Sequence, residues 1–406
     1  MKTNAKILAV ALFAFTTAGI ACYPLMKDGG TALPPRVKTT GTPPPVVAKQ
    51  ARPKIEVVFA LDTTGSMGGL IQAAKEKIWS VATTMAQAQP APEIRMGLVA
   101  YRDRGDRYVT RVFDLTSDLD TMYATLMDFR AEGGGDTPES VNQALDDAVQ
   151  RISWSGDAGV YKVIFLVGDA PPHMDYQDDV KYPQALAAAQ SKGIVVNAIQ
   201  AGDDGAAKAV WHRIAQAGQG QYAQVGMSGQ AVAIATPFDA RLAELSARLD
   251  ETRLYYGSAE AKAKSELKQD AAKKVHESAS LASRARRATF NATASGAANL
   301  LGEGELVEDV TNGRVDLDKV APESLPEPMQ AMAPAARKAM IEKTAASRGE
   351  LKREIEQLAD QRTQFLKEQV AAEGGAGTSL DHKLYGAIRA QAEKKGMRYE
   401  ADAPAY

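Results

Sequence analysis

The segment Asp62-Thr63-Thr64-Gly65-Ser66 puts one carboxylate and two hydroxyls at alternate positions of a five-residue turn. Oxygen donors carrying little negative charge suit a hard divalent cation, and Mg²⁺ takes six such oxygens while keeping several waters. Read alone, Thr64 and Ser66 are equally suited to capping a helix, a common use of hydroxyls at such a turn. Two further stretches could supply the missing donors. Thr137 lies in Gly133-Gly134-Gly135-Asp136-Thr137-Pro138, and Asp169 follows the apolar run Tyr161 to Val167.

These residues need a frame to hold them. Ile55 to Leu61 is a nearly continuous apolar run, the mark of a strand covered on both faces. Gly68 to Gln87 then carries Leu70, Ile71, Ala74, Ile78, Val81 and Met85 at helical spacing. Ile94 to Tyr101 and Val109 to Leu115 read as strands joined by a charged turn too short for a crossover helix, so they pair antiparallel. Helices over 118–130, 139–152, 181–191 and 206–217 alternate with strands over 161–167, 194–199 and 221–225, and a helix starts near Pro237. That alternation predicts an α/β fold, a doubly wound, mostly parallel six-stranded sheet with helices on both faces. In such sheets ligands sit beyond the carboxyl ends of the strands, at a topological switch point.

With this frame, DTTGSM at residues 62–67 resembles the DxSxS metal motif of von Willebrand factor type A (VWA) domains, Thr64 standing for the first serine. GGGDTPES supplies the threonine of that family's second loop at Thr137, and FLVGDAPPH supplies its final aspartate at Asp169. The resemblance spans about residues 54–250. It implies a metal ion-dependent adhesion site (MIDAS) built from Asp62, Thr64, Ser66, Thr137 and Asp169. Thr64 and Ser66 would be direct ligands, Asp62 and Asp169 would orient bound waters, and Thr137 would join when a partner docks. The cation is expected to be Mg²⁺, with Mn²⁺ or Ca²⁺ as substitutes, and its open position to take an Asp or Glu carboxylate from a protein partner. His173, Asp175, Asp103 and Asp106 are candidates for the rim.

The rest of the chain divides by composition. Residues 1–22 read as a signal peptide: Lys2 and Lys6 precede an apolar run from Ile7 to Ala21 that is too short to span a bilayer comfortably. Cys22, the one cysteine, excludes an intrachain disulfide, and its place resembles a bacterial lipoprotein signal in which that cysteine is acylated. Gly19 stands where such signals usually carry Leu, Val or Ile. Residues 23–53, with Pro43-Pro44-Pro45, read as a linker. Residues 251–295 read as helix, and Arg284, Arg286 and Arg287 fall on what is expected to be a solvated face. Residues 296–334 are expected to hold a hairpin turning at Asn312-Gly313, then a Pro-rich connection. Residues 335–406 are expected to be helical, with a partial coiled-coil heptad pattern that Arg362 and Gln369 interrupt, which favours packing onto the same chain.

Composition, 45% hydrophobic and 24% charged with a formal net charge of −2, suits a folded protein and gives no pull toward nucleic acid. Three functions follow. The first is a metal-dependent binding module on the cell envelope, exported and anchored in the membrane through Cys22. The second is a regulatory or assembly subunit of an ATPase- or chelatase-like complex, which the export signal disfavours. The third is a metal-dependent hydrolase or phosphotransferase of haloacid dehalogenase type. That motif needs an aspartate where Thr64 stands, and no phosphate-cradling loop is present, so the chain reads as a non-enzyme. Arg104-Gly105-Asp106 spells an integrin-read tripeptide, but a three-residue match in a turn is weak evidence.

Overall fold

The computed structural model describes residues 52–135, 137–228, 234–372 and 380–400. The leader, Cys22 and nearly all of the linker lie outside the described residues. Residues 51–406 form one compact unit.

Six strands make the sheet: β1 (Lys54–Asp62), β2 (Glu93–Tyr101), β3 (Thr110–Thr116), β4 (Tyr161–Gly168), β5 (Ile194–Ala201) and β6 (Gln219–Val225). Their order is β3-β2-β1-β4-β5-β6. Only β3 runs antiparallel to its neighbour, as the short charged turn before it requires. β1 and β4 are central, and every residue of β4 is buried, which is why both read as unbroken apolar runs. The strand order reverses direction between β1 and β4, so Asp62 and Asp169 emerge side by side at the switch point.

Five helices flank the sheet: α1 (Gly68–Ala86), α2 (Leu119–Met127), α3 (Val141–Gln150), α4 (Tyr182–Ser191) and α5 (Gly205–Ala217). α3, α4 and α5 bury Leu145, Leu186 and Trp211 against Val58, Ile164 and Val196 on one face. α1 and α2 bury Leu70, Trp79, Met122 and Tyr123 against Val57, Phe165 and Val163 on the other.

The chain continues through α6 (Asp239–Glu251), α7 (Ala259–Ser278), α8 (Leu281–Ala292), α9 (Ala297–Leu301), α10 (Leu306–Thr311), α11 (Glu327–Gln330), α12 (Pro334–Ala372) and α13 (Leu380–Ala392). Three expectations change here. The single helix foreseen within residues 251–295 breaks at Ala279-Ser280, where Ser280 Oγ accepts from the Ser283 amide and donates to Glu76 on α1. A new helix thus starts with its own cap on another element.

The hairpin expected around Asn312-Gly313 is α10 instead. Glu305 caps it by accepting from the Glu308 amide at 2.8 Å, and Glu308 and Asp309 sit in its first turn, which the helix dipole favours. Gly313, at φ +68°, ends the helix in a left-handed conformation, and the Arg314 amide reaches back to the Asp309 carbonyl. Asn-Gly is thus a helix terminator here.

The expected solvated arginine face is the third change. Arg286 and Arg287 are 5% and 0% exposed because α8 is packed between α1, α6 and α12. The apolar stripe of α12 (Leu351, Ile355, Leu366) is likewise buried in this chain, α12 packing on α6, α8 and α10. Finally α13 returns to the sheet. Leu384, Ile388 and Met397 enter the same core as Val57 and Phe165, and Gln391 bonds Tyr161 at 2.7 Å and Asn197. Among the described residues no helix is long and apolar enough to cross a membrane.

Candidate metal centre

Asp62 is the last residue of β1 and is wholly buried. Its Oδ1 accepts from the Thr64 amide at 2.8 Å and from Thr64 Oγ1 at 2.7 Å. Thr64 Oγ1 lies 3.4 Å from Ser66 Oγ, so the three side chains of the motif share one turn. Thr63, the residue between, faces elsewhere: its hydroxyl bonds the Tyr101 carbonyl at 2.9 Å and Tyr108 at 2.7 Å. Thr64 stands at the N-cap of the short 3-10 turn, but its side chain makes no capping bond there, and neither hydroxyl caps α1.

Ser66, Thr137 and Asp169 line one cleft of about 350 Å³ at the carboxyl end of the sheet. Glu139, Asp203, Asp204 and Met227 line it too. The strand ends nearby are packed closely: a Cβ on Gly168 would stand 2.3 Å from Tyr101 Oη and 3.1 Å from Asp62 Oδ2. Asp62 Oδ2 and Glu139 Oε2 are buried without a hydrogen-bond partner.

The electrostatics follow from that burial. Desolvation pushes the Asp62 carboxyl up to about 7, against the two Thr64 hydrogen bonds and helped by nearby Asp169. Glu139 is pushed up to about 9 by burial and by the surrounding Asp62, Asp103, Asp106 and Asp169. A buried carboxyl oxygen without a donor is costly, and a divalent cation is what would relieve it. Two aspartates with three hydroxyls are hard oxygen donors, so the residues present fit Mg²⁺. Among the described residues no group of three or more His, Cys, Asp or Glu is placed to hold a metal.

The glycine run before Thr137 is held rather than loose. Gly133 and Gly134 have φ of +79° and +84°, and a Cβ on Gly133 would stand 2.2 Å from Asp106 Oδ1. The Gly133 carbonyl accepts from the Gly65 amide at 3.1 Å, and Asp106 accepts from the Gly134 amide at 3.1 Å. The two motif loops are thereby joined.

None of the four rim candidates is among the residues lining the cleft. Asp106 braces the glycine loop, and Asp103 is buried, accepting from Ser140 Oγ at 2.8 Å and Tyr176 Oη at 2.9 Å. His173 is 3% exposed, stacked on Tyr176, and bonded to Asp175 at 2.8 Å and Asp103 at 3.2 Å. It supports the β4–α4 loop and does not line the cleft. Arg104 of the RGD tripeptide pairs with Asp178 and Asp179 and covers the Tyr176 ring at 4.2 Å. That tripeptide latches two loops together. Glu139, in the same GGGDTPES stretch, also faces the cleft, and its signal in the sequence is a carboxylate two residues after Thr137. Asp204 was readable as an N-cap, which it is, accepting from the Ala207 amide at 2.6 Å.

Part of the chain is similar to known proteins. Residues 56–236 match the family model described as von Willebrand factor A domain. That stretch of the chain is a VWA-type domain. A rat von Willebrand factor A domain-containing protein 7 is 36% identical over 120 residues, 30% of this chain and 12% of its own. A putative ariadne-like RING finger protein of Acanthamoeba polyphaga mimivirus is 25% identical over 119 residues, 29% of this chain and 11% of its own. The chain thus spans only about a ninth to an eighth of these relatives. Among solved structures, mussel byssus proximal thread matrix protein 1 with a zinc-occupied MIDAS motif aligns with TM-score 0.35 and 16% identity, over 43% of this chain and 42% of that one. The SpRpn10 VWA domain aligns with TM-score 0.34 and 13% identity, over 45% of this chain and 92% of that one.

Proposed function

We propose that this protein is a non-catalytic binding module that holds an acidic residue of a protein partner through Mg²⁺ at the cleft. Asp62, Thr64, Ser66, Thr137 and Asp169 would hold the ion, whose chemistry there is attraction for an incoming carboxylate. The observation that carries the reading is the partnerless Asp62 oxygen beneath a cleft lined by Ser66, Thr137 and Asp169. Five large hydrophobic residues are exposed among the described residues. Three of them, Met174, Val180 and Met227 at 50%, 44% and 38%, lie in loops at this same end of the sheet. Apolar side chains around a charged centre suit a protein surface, and methionine adapts to varied contacts.

An envelope location with Cys22 acylated belongs to the same proposal, supported by the apolar run Ile7 to Ala21. Thermal unfolding with increasing Mg²⁺ tests the metal: wild type is expected to gain stability, and Asp62→Ala and Ser66→Ala to gain none. Equal gains in all three would remove the metal from the reading. Capture of an envelope protein that chelator releases and Ser66→Ala cannot retain tests the binding role.

A further inference from the structure

A cavity of about 560 Å³, against about 350 Å³ for the metal cleft, lies at the opposite end of the sheet. Arg95 near the start of β2 and Thr116 at the end of the antiparallel β3 form one side, where the parallel strands begin. Lys264, Ser265 and Lys268 on α7 and the loop Gly302-Glu303-Gly304 after α9 form the other. That second side lies beyond residue 236, outside the stretch that matches the VWA model. The space therefore belongs to the joint between the domain and the helices that follow it. Its volume is that of a small-molecule pocket, about 300–1,000 Å³.

The charges in the wall are spent on one another. Lys268 Nζ holds Asp118 Oδ1 at 2.9 Å, Lys264 Nζ holds Glu303 Oε2 at 3.0 Å, and Arg95 holds the buried Glu56 at 3.0 Å. An ion entering here would have to displace a partner already in place and strand a charge.

The hydroxyls are not spent. Tyr255 is 8% exposed, its hydroxyl is buried with no hydrogen-bond partner, and it lies near enough to Asp118 to feel that carboxylate. Burial pushes this phenol up to about 12, so it stays a donor at neutral pH. Thr116 Oγ1 accepts from the Asp118 amide at 2.9 Å and gives its own proton to nothing among the described residues. The Ser117 hydroxyl makes no bond among them. Ser265 gives its proton to the Ala261 carbonyl at 3.0 Å, which leaves its oxygen to accept.

A wall that is neutral in sum, with donors and acceptors interleaved, suits a ligand whose own groups do both. A sugar hydroxyl donates one bond and accepts others, so it can bridge an ammonium and a carboxylate without parting them. Leu115, Ala261 and Ala298 add apolar patches for the C–H faces of a sugar ring.

We propose that the cavity between the β3 edge and α7 binds an uncharged saccharide, its hydroxyls taken by Tyr255, Ser117, Ser265 and the Lys268–Asp118 pair. The bound sugar would bridge the VWA-type domain and its carboxyl-terminal helices. This site is independent of the metal cleft and needs no cation.

The test screens the full chain, kept in chelator so that the metal cleft plays no part, on an array of uncharged, amino-bearing and acidic oligosaccharides. The strongest ligand is then titrated by calorimetry. Saturable one-to-one binding of an uncharged oligosaccharide is expected, weakened about fivefold in Tyr255→Phe, the worth of one hydrogen bond. Binding should be lost in Ala298→Trp, which narrows the space from an exposed position in the wall. Because the Tyr255 hydroxyl has no partner to lose, Tyr255→Phe should keep or raise the unfolding temperature measured without sugar. A lowered unfolding temperature with unchanged affinity would mark a structural hydroxyl and overturn the proposal. So would binding confined to acidic or amino-bearing glycans, no saturable binding at all, or equal binding by wild type and both variants.

Discussion

Two buried ionic clusters in this protein are built on opposite plans. At the junction of α2, α6 and α8, Arg287 is entirely buried and fully engaged. It holds Asp120 through two bonds of 2.5 and 2.6 Å, Ser246 at 2.9 Å and Asp250 at 2.9 Å. Burial alone would raise the Asp250 carboxyl, but Arg287, His276 and Arg253 hold it well below the usual carboxylate range. At the metal cleft Asp62 and Glu139 are buried with Arg102 near Asp62 but no cation bonded to either among the described residues, and their affinity for protons rises instead. The first cluster is finished within the chain and can only stabilise. The second is left open, and an open charge is what a recognition site must keep.

The largest expected effect comes from breaking the closed cluster. Arg287→Ala strands Asp120 and Asp250 in the interior and is expected to cost about 3–5 kcal/mol in urea unfolding. A loss under 1 kcal/mol would mean that the two clusters are not different in kind.

Acid should separate them next, because their shifts have opposite sign. Asp250 is depressed on folding, so its contribution is present above the unfolded carboxylate value of about 3.9 and is lost as pH falls below it. Asp62 is raised to about 7, so in metal-free protein stability is fullest in acid and declines as pH rises from about 4 through 7. Unfolding free energy measured in chelator across pH 3–8 should therefore pass through a maximum on the acid side of neutrality. Saturating Mg²⁺ should flatten the alkaline limb alone.

A smaller effect is expected from Gly133→Ala, which demands a left-handed conformation and meets the Asp106 carboxylate. About 1–2 kcal/mol should be lost, with partner binding weakened in surface plasmon resonance. The smallest is Asp62→Asn in chelator at about pH 4, where the raised carboxyl is already neutral and the amide is expected to change stability by less than about 1 kcal/mol, while at neutral pH the variant should lose the response to Mg²⁺.

The two clusters also differ in how far the sequence disclosed them. The cleft was legible because its donors lie within short motifs tied to strand ends: IEVVFAL announced β1, YKVIFLV announced β4, and chemistry beyond each followed. Its less legible part, Glu139, depends on a depth of burial that no local pattern encodes. The Arg287 cluster joins residues more than 160 positions apart, and an arginine flanked by interleaved charges looks solvated until α6 and α12 close over it. Likewise Asn312-Gly313 serves a hairpin or a helix end equally well. Only Glu305, whose carboxylate also receives Arg348 at 2.9 and 3.0 Å, decides for the helix.

The return of α13 to the sheet sets a timetable. Ile388, Met397 and Tyr399 share a core with strands made more than two hundred residues earlier, and the Arg398 backbone pairs with Gln89. While the chain is still emerging from the ribosome, that face of the sheet lacks part of its cover, so the native core is not complete until Tyr399 has been made. A fragment ending at residue 250 should expose this apolar face and aggregate. The metal loops would then be present in a polypeptide unable to display them.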